Sequence, residues 1–406
     1  MKHLSFKSLG PGLIFAGAAI GVSHLVQSTR AGADFGFGLL WALLLVTLFK
    51  YPFFEFGMRY ANATGESLLD GYKKLNKFIL PLYFVITFAT MFTIQAAVTI
   101  VTAGLAQQLF GDFMNTTVWA IVILFISVLI LINGKYKLLD SLMKVIVITL
   151  TISTLIAAIL SFFNYSRPFD FTQIIPENTI EIAFLIAFMG WMPAPLDCSI
   201  WQSLWTLEKQ KLHPDFKGKS PLADFNIGYF ATIIVGICFM SLGVFVMYNS
   251  GLEFGNSSTQ FSAQLINLYT QSLGNWSFII IAVAAFTTMF STTLTTLDAS
   301  PRAMFKTTQL LFSNKQINQY KIWLVVLTIG TCAIFIWLSS ELLVLVKIAT
   351  IISFLTAPFY AIINYWLITG KYTPKAHQPS GFMKILSWLG ILFLAVFGIW
   401  YLTSIL

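Results

Sequence analysis

Residues 182–203 read IAFLIAFMGWMPAPLDCSIWQS, an apolar run of the length that crosses a bilayer core but interrupted halfway by Gly190, Pro193 and Pro195. The two prolines lack amide donors and clash with the preceding turn, so helical hydrogen bonding cannot continue from Met192 to Asp197. A second interrupted run opens the chain. Residues 10–36 read GPGLIFAGAAIGVSHLVQSTRAGADFG, with Gly21, Val22, Ser23 and His24 at the midpoint.

Between and beyond these two runs the chain is built from apolar blocks of membrane-spanning length. Of 406 residues, 57% are hydrophobic and 10% charged, against about 25% charged in ordinary soluble chains. This excludes a soluble enzyme, a nucleic-acid-binding protein and a disulfide scaffold. The reading gives eleven spans, over residues 10–33, 39–57, 78–107, 118–133, 138–163, 180–207, 225–248, 276–297, 322–338, 342–368 and 383–406. The runs are too long for the ten-residue alternating strands of a barrel, so the expected fold is an all-α integral membrane protein. The net charge of +8 follows from membrane orientation. An amino terminus in the cytoplasm puts 19 of the 24 basic residues inside, as the positive-inside rule requires, and an odd span count leaves the carboxyl terminus outside. The compact loops suggest a bacterial plasma membrane. Residues 259–272, TQFSAQLINLYTQS, place Phe261, Leu265 and Leu268 at helical spacing and are expected to lie on the membrane surface.

The interrupted spans are the first and the sixth. Matched breaks five spans apart point to a secondary transporter made of inverted repeats, with its substrate site at the midplane. Repeat one then covers residues 10–163, repeat two 180–368, and helix 11 (383–406) is an addition, all in one transmembrane domain over residues 1–406.

Several stretches resemble the natural resistance-associated macrophage protein (NRAMP) family of divalent-metal transporters, which have the leucine-transporter (LeuT) type fold. They are GPGL at Gly10–Leu13, AGADFGF at Ala31–Phe37, LLWALLLVTLFK at Leu39–Lys50 with Glu55, Thr64-Gly65, Met192-Pro193 and Ala357-Pro358-Phe359. The departures fall where the resemblance would place metal ligands. The family's Asp-Pro-Gly-Asn of helix 1 is replaced by Gly21, Val22, Ser23 and His24. The histidine after Met-Pro is Ala194, the helix-10 glutamine is Thr350, and the third span carries no acidic residue.

What remains near the breaks is a short set of candidates. A metal ion losing its water needs oxygen, nitrogen or sulfur donors and charge compensation. His24 offers an imidazole, Met192 a thioether and Asp197 a carboxylate; these are the expected metal ligands. Gly21, Gly190, Trp191 and Thr350 complete the expected substrate site. An imidazole and thioether set favours manganese or iron, while a hydrated magnesium needs less direct ligation. The eighth span sets Thr288, Ser291 and Thr292 in a hydroxyl stripe, and the resemblance implies a coupling-ion site there, for sodium. Arg30, Gln95, Asp298 and Arg302 are candidate gating or path residues. No cofactor motif and no obligate protein partner are indicated; the metal is cargo, protons or sodium the coupling ions, and the bilayer the partner.

The same residues support a second reading. Arg30, Lys50, Lys144 and Lys347 put more positive than negative charge within the spans. Cationic groups favour a small carboxylate-bearing or zwitterionic solute, coupled to a cation. A structural role for Lys50 would instead pair it with Glu55.

Overall fold

The computed structural model describes residues 11–133, 136–212, 221–251, 254–255, 257–312, 319–337 and 342–406; the side chains of residues 136–147, Lys144 among them, lie outside the description. Among the described residues the chain forms fifteen α-helices and no sheet. In hydrocarbon every backbone polar group must find its partner within the protein, and a helix achieves this locally.

Eight of these helices are long and apolar enough to cross a membrane. The first predicted span is divided into α1 (Pro11–Ala19), a π-wound turn (Ser23–Ser28) and α2 (Thr29–Phe35). The sixth is divided into α8 (Thr179–Trp191) and α9 (Cys198–Leu212). The others are α3 (Leu40–Thr64), α5 (Ile79–Phe110), α6 (Thr116–Asn133), α7 (Tyr136–Asn164), α10 (Pro221–Val246), α12 (Phe278–Phe312), α13 (Gln319–Trp337), α14 (Leu342–Thr369) and α15 (Gly381–Ser404). On α15, Ile385, Leu389, Leu392, Val396 and Ile399 are exposed at helical spacing, an apolar stripe suited to lipid.

Three features depart from the expectation. Helix α12 runs well past residue 297 to Phe312, because an amphipathic helix continues where the hydropathy ends. A short helix, α4 (Leu68–Leu75), lies outside the spans, started by a reciprocal capping box between Ser67 and Asp70; this sequence pattern carries the signal even where hydropathy does not. Finally, α11 (Ser258–Leu273) buries Phe261, Leu265 and Leu268. Its apolar face packs on α5, α12 and α7 rather than on the membrane surface.

The buried apolar side chains fall into two large clusters. One is built mainly by α3, α8, α9 and α14, the other by α5, α6, α11, α12 and α13. Helix 1 and α10 contribute to both: Phe15, Ala19, Phe225 and Met240 to the first, Ile20, Val22, Val235 and Phe239 to the second. Both breaks therefore sit on the seam between the clusters, with Trp191 on one side and Met192 on the other.

Glycines hold helix 1 on α10. A Cβ at Gly228 would strike the carbonyl of Gly12, and a Cβ at Gly243 the carbonyl of Thr29. Backbones this close gain dense dispersion contact that larger side chains would forbid. Asp224 of α10 also accepts the Gly12 amide at 2.8 Å, satisfying an orphan donor at the start of α1.

On the other side of the seam, Tyr72 of α4 donates to Asn364 Oδ1 at 2.5 Å, and Asn364 Nδ2 donates to Ser199 Oγ at 2.9 Å. All three are fully buried, so the amide ties α4, α14 and α9 together. Asn364→Leu leaves the Tyr72 hydroxyl without its acceptor and is expected to cost about 2–3 kcal/mol. A thermal melt in detergent checks this, and an unchanged midpoint would contradict it.

Candidate functional site

Helix α1 ends at Ala19, and the Gly21 amide turns back to the Ala19 carbonyl at 2.9 Å, too short a loop to continue the helix. The chain resumes as the π-wound turn Ser23–Ser28, all six residues buried; such widened turns recur at functional sites. A Cβ at Gly21 would lie 2.9 Å from the Thr292 side chain of α12, which would have to shift to admit it. In the second break Met192 is extended, with φ −86° and ψ 125°, and the helix restarts at Cys198.

Two of the three expected metal ligands come together. A Cβ at Gly236 of α10 would lie 2.8 Å from Met192 Cε and 3.6 Å from His24 Cδ2, so the thioether and the imidazole share the space that this glycine leaves. The imidazole is fully engaged. Its Nε2 donates to the Thr232 carbonyl at 3.0 Å and its Nδ1 meets Ser23 Oγ at 2.7 Å. Asp197 is grouped elsewhere. It is buried just ahead of α9 and interacts electrostatically with Lys50 and with Tyr72, Tyr83 and Tyr360. One oxygen, Oδ1, lacks a hydrogen-bond partner among the described residues. No group of three or more His, Cys, Asp or Glu side chains is poised around one point among the described residues.

Gly190 packs directly on the Thr350 carbonyl of α14, and the Trp191 indole donates to Ser353 Oγ at 2.8 Å. The Thr350 hydroxyl bonds to the Val346 and Lys347 carbonyls of its own helix. Between the breaks, α5 and α12 lies a cavity of about 20 Å³, lined in part by Ser23, Trp191, Cys198, Trp201, Thr292 and Thr296, with room for about one water molecule.

The hydroxyl stripe of α12 divides. Thr288 and Ser291 bond to carbonyls of their own helix, whereas Thr292 also reaches the Gly17 carbonyl of α1 at 3.3 Å. Gln95 accepts from Thr296 at 2.8 Å and donates to Thr99 at 3.0 Å, clamping α5 to α12.

Arg30 does not aim at the break: it pairs with Asp34 at 3.5 Å and lies 5.1 Å from the Phe184 ring centroid. Lys347 is exposed, whereas Val346 and Thr350 of the same helix are buried. At the far end of the bundle Arg302 donates to Asp298 through Nη2 and Nε at 2.8 and 3.1 Å, and Tyr320 donates to the same carboxylate at 2.7 Å.

The structural reading of Lys50 offered Glu55 as its partner, but Glu55 is bonded to Arg59 at 2.7 Å. The Lys50 side chain instead enters the second break, bonding to four carbonyls. Sequence reasoning also missed Ser23, Thr232, Gly236 and Ser353. Small and hydroxyl residues in apolar helices have many roles, and only their cross-helix partners distinguish them.

The fold has known counterparts. A mutant of the Eremococcus coleocola manganese transporter superposes with a TM-score of 0.69 at 13% identity, covering 98% of this chain and 87% of that one. MhsT in complex with L-phenylalanine gives 0.63 at 13% identity, covering 97% and 99%. At this identity the likeness shows the LeuT-type fold. In sequence, an uncharacterized protein of Pasteurella multocida (strain Pm70) is 32% identical over 409 residues, 99% of this chain and 93% of its own length. The family model described as natural resistance-associated macrophage protein-like matches residues 12–404. The broken helices, the fold and this match together place the chain in the Nramp family of divalent-metal membrane transporters.

Proposed function

We propose that this protein is a secondary transporter that carries manganese or a similar transition ion, by alternating access around the paired breaks. The observation that carries the reading is the meeting of the His24 imidazole and the Met192 thioether beside Gly236. A nitrogen and sulfur pair suits a softer divalent ion. With both imidazole nitrogens hydrogen-bonded, the described conformation is a resting one. Binding requires the ring to exchange its Ser23 or Thr232 partner for the ion, with carbonyls of the first break and retained waters as further ligands.

Coupling to protons or sodium, repeats over residues 10–163 and 180–368, and a cytoplasmic amino terminus in a bacterial plasma membrane belong to the same proposal. Of the coupling-ion candidates, Thr292 is favoured by its bridge to the Gly17 carbonyl. The alternative, a small carboxylate-bearing or zwitterionic solute, is less supported, since Arg30 pairs with Asp34, Lys347 is exposed and the Lys50 ammonium is engaged by backbone carbonyls.

Manganese uptake into proteoliposomes tests the proposal, run with and without proton and sodium gradients. Saturable uptake is expected, reduced at least about tenfold in Met192→Ala and His24→Ala, the scale of losing one ligand or its support. No uptake above empty vesicles by folded protein, or full uptake in both variants, would refute it.

A further inference from the structure

Lys50 is fully buried, and its Nζ lies 2.8 Å from the Met189 carbonyl, 2.7 Å from Gly190, 3.1 Å from Met192 and 3.2 Å from Ala194. The origin of these acceptors is legible. In a continuous helix the Met189 carbonyl would be taken by the amide four residues on, but that residue is Pro193, which has none. The extended Met192 carries the chain away, so the Gly190 and Met192 carbonyls also lose their helical donors. The break thus creates a cup of orphan oxygens at the negative end of α8.

Only a cation suits this cup. An ammonium presents three N–H donors and no lone pair, so one bifurcated bond lets it serve four oxygens. A neutral amine has two donors and a lone pair that would face a carbonyl. On the other side of the break the buried Asp197 immediately precedes the start of α9 at Cys198. Each helix end therefore faces a charge opposite to its own dipole.

We propose that the second break is a monovalent-cation site whose resident ion is the tethered ammonium of Lys50, and that a small primary alkylammonium occupies the same cup when the side chain is cut back. The tether gives the carbonyl cup a permanent counter-charge, so the break keeps its shape without a free co-ion at that place. The inference is independent of the cargo, because its readout is stability and not transport.

The test is chemical rescue of Lys50→Ala by propylammonium, which restores the missing Cγ, Cδ, Cε and Nζ atom for atom. In detergent, Lys50→Ala is expected to melt at least about 5 °C below the native protein. Propylammonium should return more than half of that loss with a saturable concentration dependence, while 1-propanol should not, and the native midpoint should not move. Lys50→Met, which keeps the volume without the charge, is expected to melt as low as Lys50→Ala. Should Lys50→Ala yield no folded protein by itself, the monodisperse yield on purification in propylammonium, compared with 1-propanol, becomes the readout. Equal effects of the two additives on midpoint or yield, no rescue by propylammonium, or a Lys50→Met variant as stable as the native protein would overturn the proposal.

Discussion

Gly243→Val is expected to eliminate folded protein from detergent extracts, although glycine to valine is a modest change by volume. Gly243 of α10 faces the Thr29 carbonyl, and Gly32 of α2 faces the Met240 carbonyl, so the two backbones lie against each other with no side chain between them. A branched side chain there cannot rotate away, since its first carbon already overlaps main-chain atoms. The helices would have to separate, forfeiting the packing that drives helix association in lipid, where no hydrophobic term replaces it. Overpacking in rigid cores costs about 1–3 kcal/mol and occasionally more. Here the obstacle is backbone on both sides and the affected element is half of the broken helix, so the larger figure applies. Size-exclusion profiles of extracted protein check this. A native monodisperse yield would show that α2 is not held at this contact. Gly251→Ala is the control for backbone conformation alone, since a Cβ there meets nothing within 4 Å but the φ is +77°; it is expected to cost only about 1 kcal/mol.

The second large effect concerns the cluster at Asp298. Its nearly buried carboxylate takes both hydrogen bonds of Arg302 and that of Tyr320, joining α12 to α13, and Arg302 also interacts electrostatically with Glu208 of α9. Asp298→Ala leaves a partly buried guanidinium without its counter-ion, a change that costs about 3–5 kcal/mol in fully buried pairs and less here because the Arg302 side chain is 26% exposed. If the cluster closes one end of the transport path, the loss appears as opening rather than unfolding. Cys198 reports the difference: it is buried and lines the small cavity between the breaks. In a background with Cys238 and Cys332 replaced by alanine, N-ethylmaleimide is expected to label Cys198 at least about tenfold faster in Asp298→Ala, with a melting midpoint still well above the assay temperature. A tenfold change corresponds to about 1.4 kcal/mol of shifted equilibrium. Labelling at the native rate would make the cluster a structural pair and remove it from the gate.

How far the sequence could be read differs between fold and site. Composition, block length and the two interruptions follow from local chemistry: proline has no amide, and apolar side chains must meet lipid or one another. They were sufficient for the membrane class and the two broken helices, while the family came from the resemblance of particular stretches such as Gly10–Leu13 and Ala31–Phe37. The ends of elements were less legible. Hydropathy stops near Leu297 while α12 continues to Phe312, and Phe261, Leu265 and Leu268 form the same stripe whether a helix covers protein or floats on lipid.

At the site, His24 and Met192 could be nominated from residue type and the nearby breaks, and the fold does bring them together. Their partners could not be nominated. Whether the imidazole is free or engaged depends on Thr232, more than two hundred residues away. Whether Asp197 joins His24 and Met192 or lies within electrostatic reach of Tyr72, Tyr83 and Tyr360 depends on how α4, α5 and α14 pack around the start of α9. Lys50 is the clearest case. In sequence its best partner is Glu55, one turn and a half along the same helix, and only the tertiary structure sends it to four carbonyls of α8 and the break. Sequence by itself determined where hydrogen bonding along the chain must fail, because that is a property of consecutive residues. The groups that satisfy the freed carbonyls were decided by the packing of helices distant in sequence, because a buried charge goes to whichever acceptors the fold brings within about 3 Å.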